Sequence, residues 1–336
     1  MSSNQALIDA LTLRQIFIER YSKGEAARLV KHLTELSARL QSMVGSQYDT
    51  MRAVALSSQV RQITKTLLDE YGEDLYAGLR EFSEAESAFA RQTILASTAA
   101  EVVSPGSLRQ IQAAITRKPM KLLTGKKFTK ITIDQAAKQF SRNKAREVAQ
   151  LIRDAATVGR TSQEVVRDIA ELVDTRTKQQ AASLVRTATN HIGNEARSAT
   201  YAANDDVVTG ERFTATLDGR TTITCASLDG QVFNVGEGPQ PNLHWGCRSV
   251  RVPVVDPEFN LGAAITGQRA AVGGPVSGNT TYGGWLKRQS DTVQDEVLGV
   301  ERAKLFRSGK LSIGKFTDDT GKVYSLARLK ELNDFK

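Results

Sequence analysis

Leu29, Leu33, Leu36, Leu40 and Met43 follow one another at intervals of four, three, four and three residues. That is the period of one helix face, since an α-helix turns once in 3.6 residues and a strand alternates every two. The stripe is about two heptads long, which is short for a coiled coil and calls instead for a packed partner helix. Val60, Ile63, Leu67, Tyr71, Leu75, Leu79 and Phe82 continue the 3/4 spacing, with Gly72 and Gly78 weakening that second helix.

Further helix signals follow. Ser104 before Pro105 reads as an N-cap with proline at the first helical position. Thr132 with Gln135, and Thr161 with Glu164, read as capping boxes, and Gly159 between them as a C-terminal stop. A last helix is expected from about Arg176 to Ala203, with Val185, Ala188, Ile192, Ala196, Ala199 and Ala203 on one face. Residues 1 to about 205 thus read as helical.

The texture then changes. "ERFTATLDGRTTITCASLDGQVFNV" has alternating and β-branched residues punctuated by Asp-Gly at 218–219 and 229–230, which signals strands and hairpins. "CRSVRVPVV" reads as another strand. Residues 262–284 hold seven glycines in 23 positions and read as a loop or arm. Two short helices with stops at Gly299 and Gly309 come after it. The expected fold class is α+β, a mainly helical N-terminal half followed by a small β-hairpin-containing module and short terminal helices. The expected division is 1–206, 207–256, 257–284 and 285–336.

The chain has 336 residues and a formal net charge of +8. Residues 101–200 carry 18 Lys+Arg against 9 Asp+Glu, which accounts for the whole surplus. Between Arg117 and Arg146 there are ten basic residues and one acid, Asp134. Such a stretch attracts polyanions by counterion release without reading sequence, or forms a solvated face or a contact for an acidic protein. Lys118, Lys121, Lys126, Lys127, Lys130, Arg142, Lys144 and Arg146 are the candidate nucleic-acid contacts. Two cysteines exclude a secreted disulfide framework, and no signal peptide or membrane span is evident, so a reducing cytoplasm is expected.

Both cysteines lie near one of the three histidines, in the order Cys225, His244, Cys247. Three readings compete. The leading one makes the cysteines small buried hydrophobes and His244 a carbonyl partner, with Arg248 and Asp218 pairing across strands. The second is zinc, with Asp218 or an unassigned residue as fourth ligand. The third is a nucleophilic Cys/His pair.

"TLDGRTTITCASLDGQVF" and "PQPNLHWGCRSVRVPVV" together resemble the C-terminal signature of the phage Mu F-like minor head proteins. Asp218, Arg220, Thr221, Cys225, Asp229, Gly230, His244, Cys247 and Arg248 carry the likeness. "LVRTATNHIGNEARSATY" resembles the family's preceding helix and "TTYGGWLKRQSDTVQDEVLGVERAKLFRSGKLS" its tail, so the likeness extends over about residues 183–315. Thr222 and Ser249 stand where many members have further cysteines. The resemblance implies a low-copy internal component of a tailed-phage head, made in the host cytoplasm and packaged into the virion. It further implies contact with portal or major capsid protein and with double-stranded DNA, with oligomerisation in the virion as an open option. No membrane, no resident cofactor other than a candidate zinc, and no enzymatic activity are expected. The alternative is a nuclease or other hydrolase centred on His244, Cys247 and Arg248.

Overall fold

The computed structural model describes residues 3–98, 100, 103–124, 127–259 and 268–333. The two apolar stripes become long helices, α1 (Ser3–Gln47) and α2 (Ala53–Ser97), joined by a short turn. They run antiparallel: Arg14 meets Glu86, Tyr21 donates to the Gly78 carbonyl, and Tyr71 donates to the Glu25 carbonyl. Leu29, Leu33, Leu36 and Leu40 are buried, while Met43 is only partly covered and Val44 closes the stripe instead. α3 (Leu108–Ala113) leads to an antiparallel hairpin, β1 (Met120–Thr124) and β2 (Lys127–Ile131). α4 (Ile133–Thr157), α5 (Ser162–Ala170) and α6 (Thr175–Ala202) complete the helical half.

Both capping boxes form. Thr132 and Gln135 exchange hydrogen bonds of 3.1 and 3.0 Å, and Thr161 and Glu164 exchange bonds of 3.3 and 2.8 Å. Gly159 takes φ +70 between the two helices, as a stop requires. Two expectations fail. Ser104 does not cap a helix; α3 starts at Leu108 with Ser107 as its cap. The Ser104 backbone is held at both its N–H and C=O by Asn204, at 2.7 and 2.8 Å. Gly106 then lies so close to α6 that a Cβ there would sit 2.7 Å from the Thr200 nitrogen. The stretch 103–106 is therefore a strap across α6. Residues 120–131 are also not helical. Met120 and Leu122 point inward and Lys121 outward, a period of two that a hairpin satisfies and a helix does not.

The C-terminal half contains β3 (Val208–Thr214), α7 (Ile223–Leu228), β4 (Val232–Phe233) and β5 (Val250–Val255). The strands form an antiparallel sheet in the order β4-β3-β5. "ITCASL", read as part of a strand, is α7. Thr222 caps it, and five of its six residues are buried, which erases the polar face that helical periodicity needs to show. In the Gly-rich stretch β6 (Gln268–Arg269) pairs with β7 (Val276–Ser277). α8 (Tyr282–Leu286), α9 (Asp291–Leu298), α10 (Val300–Arg307) and α11 (Leu326–Leu332) follow, gathered round Tyr282, Trp285, Leu286, Phe306 and Phe316. The fold is α+β. No helix among the described residues is long and apolar enough to cross a membrane.

α6 is the axle of the molecule. Its Val185, Ala188, Ile192 and Ala196 are buried as expected, whereas Ala199 is half-covered and Ala203, just beyond the helix, is exposed. Alongside them Thr187, Asn190, Asn194 and Arg197 are also buried. Arg197 and Arg14 both bond Glu86, which is fully enclosed, so one carboxylate joins α1, α2 and α6. Removing it strands two guanidiniums in a low-dielectric interior. Glu86→Leu is expected to lower stability by about 3–5 kcal/mol in urea denaturation, whereas an exposed site such as Glu84→Leu should change it little.

Candidate metal centre

Cys225 lies in the first turn of α7, where its N–H donates to the Thr222 hydroxyl. His244 and Cys247 lie on the loop entering β5. The Cys247 N–H donates to the His244 carbonyl at 3.3 Å, closing a tight turn in which Gly246 takes φ +70. A side chain at that φ is strained, so the His-Trp-Gly-Cys order is what the turn needs. The loop hangs from α6. Thr187 accepts from the Gly246 N–H at 2.8 Å, its carbonyl accepts from Asn242 at 2.6 Å, and Asn190 donates to Asn242 and to the Ser249 carbonyl. Asn194 accepts from the Arg251 N–H at 3.0 Å.

These constraints bring the three side chains together. Cys225 Sγ is 3.3 Å from His244 Nε2 and 3.7 Å from Cys247 Sγ, and all three ligand atoms lie within 4.8 Å of one another. Two sulfurs in a disulfide would be about 2.05 Å apart. Two thiolates on one tetrahedral zinc stand about 3.8 Å apart. His244 Nδ1 donates to the Trp245 carbonyl at 3.0 Å, which leaves the Nε2 lone pair facing the sulfurs. The cluster can hold a metal ion, and its soft sulfur and imidazole donors suit zinc. The structural reading is met as well: both cysteines are buried in one apolar cluster with Phe213, Leu228 and Leu243, and His244 bonds a backbone carbonyl.

The electrostatics run the same way. The hydrogen bond from Cys225 holds the Cys247 thiol well below its ordinary value, and His244 adds to this against the effect of burial. Cys225 is pushed well above its ordinary value by Cys247 and by burial. Burial pulls His244 down, but the hydrogen bond and charge of Cys247 outweigh it and the net shift is upward. The site favours one negative charge beside a histidine, and a bound cation would supply the charge needed to ionise both sulfurs.

Asp218 is not a ligand. Both its oxygens are taken by Arg248, at 2.5 and 2.8 Å, with Arg220 adding a longer contact from an exposed position. Burial pushes the Asp218 carboxyl up, but the Arg248 hydrogen bond and charge win and hold it below its ordinary value. Thr221 donates to the Thr216 carbonyl at 2.6 Å. Asp229 accepts from the Ala215 and Tyr282 N–H groups, each at 2.7 Å, and from the Arg269 guanidinium. Gly230 takes φ +87 and donates to the Phe213 carbonyl. Asn194 belongs to the helix whose likeness to the family was legible in the sequence; Asn190, Asn242, Arg251 and Arg269 escaped it because isolated polar residues carry no period. The hydroxyl of Ser249 and that of Thr222 both bear on Cys225.

The basic candidates separate. Lys121, Lys127 and Lys130 are exposed on the β1/β2 hairpin, and Arg142 and Arg146 are exposed one turn apart on α4. Lys118 is exposed and pairs with Glu195 at 2.5 Å. Lys144 is buried and bonds Thr177 and Glu147, each at 2.9 Å, so it does not face a polyanion. Lys126 lies outside the described residues.

Residues 146–252 match the family model described as Phage Mu protein F like protein. That links about a third of the chain to a phage-associated family, from within α4 through all three cluster residues to β5. The match begins earlier than the likeness read from the motifs and leaves the terminal helices outside. No curated protein and no solved structure matches the chain.

The cluster also corrects the expectation that the chain is no enzyme. Two buried cysteines and the half-buried His244 converge, with no fourth ligand in the group among the described residues, an arrangement compatible with a catalytic zinc site that keeps one position open. Elemental analysis of protein purified without chelator is expected to find one zinc per chain, lost in Cys247→Ser. Ser249→Cys should supply a fourth sulfur and slow zinc transfer to a chromogenic chelator by about tenfold or more.

Proposed function

We propose that this chain is a minor head protein of a tailed phage, a low-copy internal component acting at the portal and on packaged DNA during head assembly and genome delivery. The observation that carries the reading is the seating of the basic hairpin on the matched module. The Leu123 N–H donates to the Leu243 carbonyl at 2.7 Å, one residue before His244, and Phe128 packs against the cluster of Phe213, Cys225, Leu228, Leu243 and Cys247. Lys121, Lys127 and Lys130 are thereby borne on the surface of the module that matches the phage family. Lysines of this kind neutralise phosphates without reading bases. The portal or major capsid protein would be met by the helical half, and electron microscopy of assembled heads tests that placement.

A second reading is favoured by the convergence of three candidate donors, Cys225, His244 and Cys247. Zinc held by Cys225, His244 and Cys247 would polarise a bound water and support hydrolysis, with Arg248 committed to Asp218 rather than to a substrate. Plasmid cleavage by zinc-loaded protein that disappears in His244→Ala would establish it.

For the leading reading, fluorescence anisotropy with two unrelated duplexes is expected to give equal affinities that fall steeply with salt. Neutralising Lys121, Lys127, Lys130, Arg142 and Arg146 together should flatten the log–log salt slope by about four. Lys144→Met should leave the slope unchanged and lower thermal stability. Equal slopes for the quintuple variant and the parent would remove DNA from the proposal.

A further inference from the structure

The sheet β4-β3-β5 has two unlike faces. Glu211, Phe213 and Arg251 are enclosed on one. On the other, Val232, Arg212 and Val252 stand side by side in register across the three strands, flanked by Thr214, Val250 and Val254. Val232 is 52% exposed, and the β5 valines are only partly covered. Arg212, Thr214, Val250, Val252 and Val254 of this face line a cleft of about 450 Å³, together with Arg251, Pro253 and Val255 of β5. Its walls are α1 at Ile16 and Ile18, α2 at Phe89, and the β6/β7 segment at Arg269 and Thr280.

The charges around the cleft are one-sided. Arg14, Arg197, Arg212, Arg248, Arg251 and Arg269 line it, and no carboxylate and no lysine does so among the described residues. Glu86, Asp218 and Asp229, which pair with four of these arginines, are buried behind the wall. Arg212 makes no ion pair among the described residues. Arg197 is 3% exposed, yet its Nε and Nη2 have no partner, and neither does Arg14 Nη2. These nitrogens are enclosed in the protein, so the half-exposed Arg212, which has no ion pair among the described residues, is the cation left for a ligand's carboxylate.

We infer that this cleft binds an extended peptide segment of a partner protein in which aliphatic and acidic side chains alternate. A strand laid over the valines presents every second side chain to the floor and the others to the rim. Apolar residues would meet Val250, Val252 and Val254, and carboxylates would meet Arg212 and the positive rim. Single-stranded nucleic acid fits less well, because it wants aromatic platforms for its bases and exposed lysines along its backbone. The floor here is β-branched aliphatic, and the site's cations are arginines, four of them held by the buried carboxylates and Arg212 unpaired.

None of Cys225, His244, Cys247 or the hairpin lysines lines the cleft, so its test is distinct from those of the DNA and metal readings. The test is fluorescence anisotropy of the full chain with a labelled eight-residue peptide of alternating leucine and glutamate, against its leucine/lysine counterpart and an oligothymidylate. The glutamate peptide should bind, and the other two should not compete for the site. Arg212→Glu should weaken binding by about tenfold or more, with an unchanged thermal transition because Arg212 has no partner to lose; Arg212→Ala serves if the charge reversal disturbs the fold. No binding of the glutamate peptide, equal binding of the lysine peptide, displacement by oligothymidylate, or an unchanged affinity in the Arg212 variants would each overturn the inference.

Discussion

The structure depends on a polar face of one buried helix. Loop 242–251 belongs to no sheet until Val250, so its N–H and C=O groups need partners elsewhere. Thr187, Asn190 and Asn194 on α6 supply them. Asparagine is apt because its amide offers both donors and an acceptor from one short side chain. Asn194 uses both ends, donating to the Ser249 carbonyl at 3.4 Å and accepting from the Arg251 N–H. Those bonds set the height of the loop above α6, and with it where His244 and Cys247 meet Cys225. The three side chains are thus brought together by hydrogen bonds from the helical half.

The two Leu-Asp-Gly triplets have a matching task. As sequence they signal turns, and turns do occur there. The physical reason for aspartate is different. Asp229 collects the Ala215 and Tyr282 N–H groups and the Arg269 fork, which ties β3, the Gly-rich stretch and α8 to one carboxylate. Asp218 does the same for Arg248 while its carbonyl accepts from the Tyr282 hydroxyl at 2.8 Å. Each carboxylate is nearly enclosed, and the desolvation cost is met by multiple charge-assisted bonds. Glycine follows because at Gly230 the backbone turns at positive φ.

The parts of the fold legible in the sequence are those with a repeat or a fixed local spacing. The α1 and α2 stripes, the Thr132 and Thr161 boxes and the glycine stops at 159, 299 and 309 are local signals, and the chain obeys them. What escaped depends on distant partners. α7 shows no amphipathic period because both of its sides are covered. The strap at 103–106 looked like a helix start until Asn204, a hundred residues later, claimed its backbone. The Cys225/His244/Cys247 set was visible as residue types. Its convergence was not, since it needs the α7 turn, the Gly246 turn and the α6 hydrogen bonds at once.

Net charge counts cations without saying which way they point. Lysine and arginine divide the work here. The hairpin lysines face outward, where a flexible, strongly hydrated ammonium is at home. Arg14, Arg197, Arg248, Arg251 and Arg269 are drawn inward, where a planar fork can satisfy two acceptors at once. Lys144 is the exception, held inside by Thr177 and Glu147. The basic hairpin and the ligand loop also share a backbone bond next to His244, and Phe128 packs against the two cysteines' cluster. That contact fixes the hairpin bearing the lysines against the loop bearing His244, so the outward cations and the buried donors share one support.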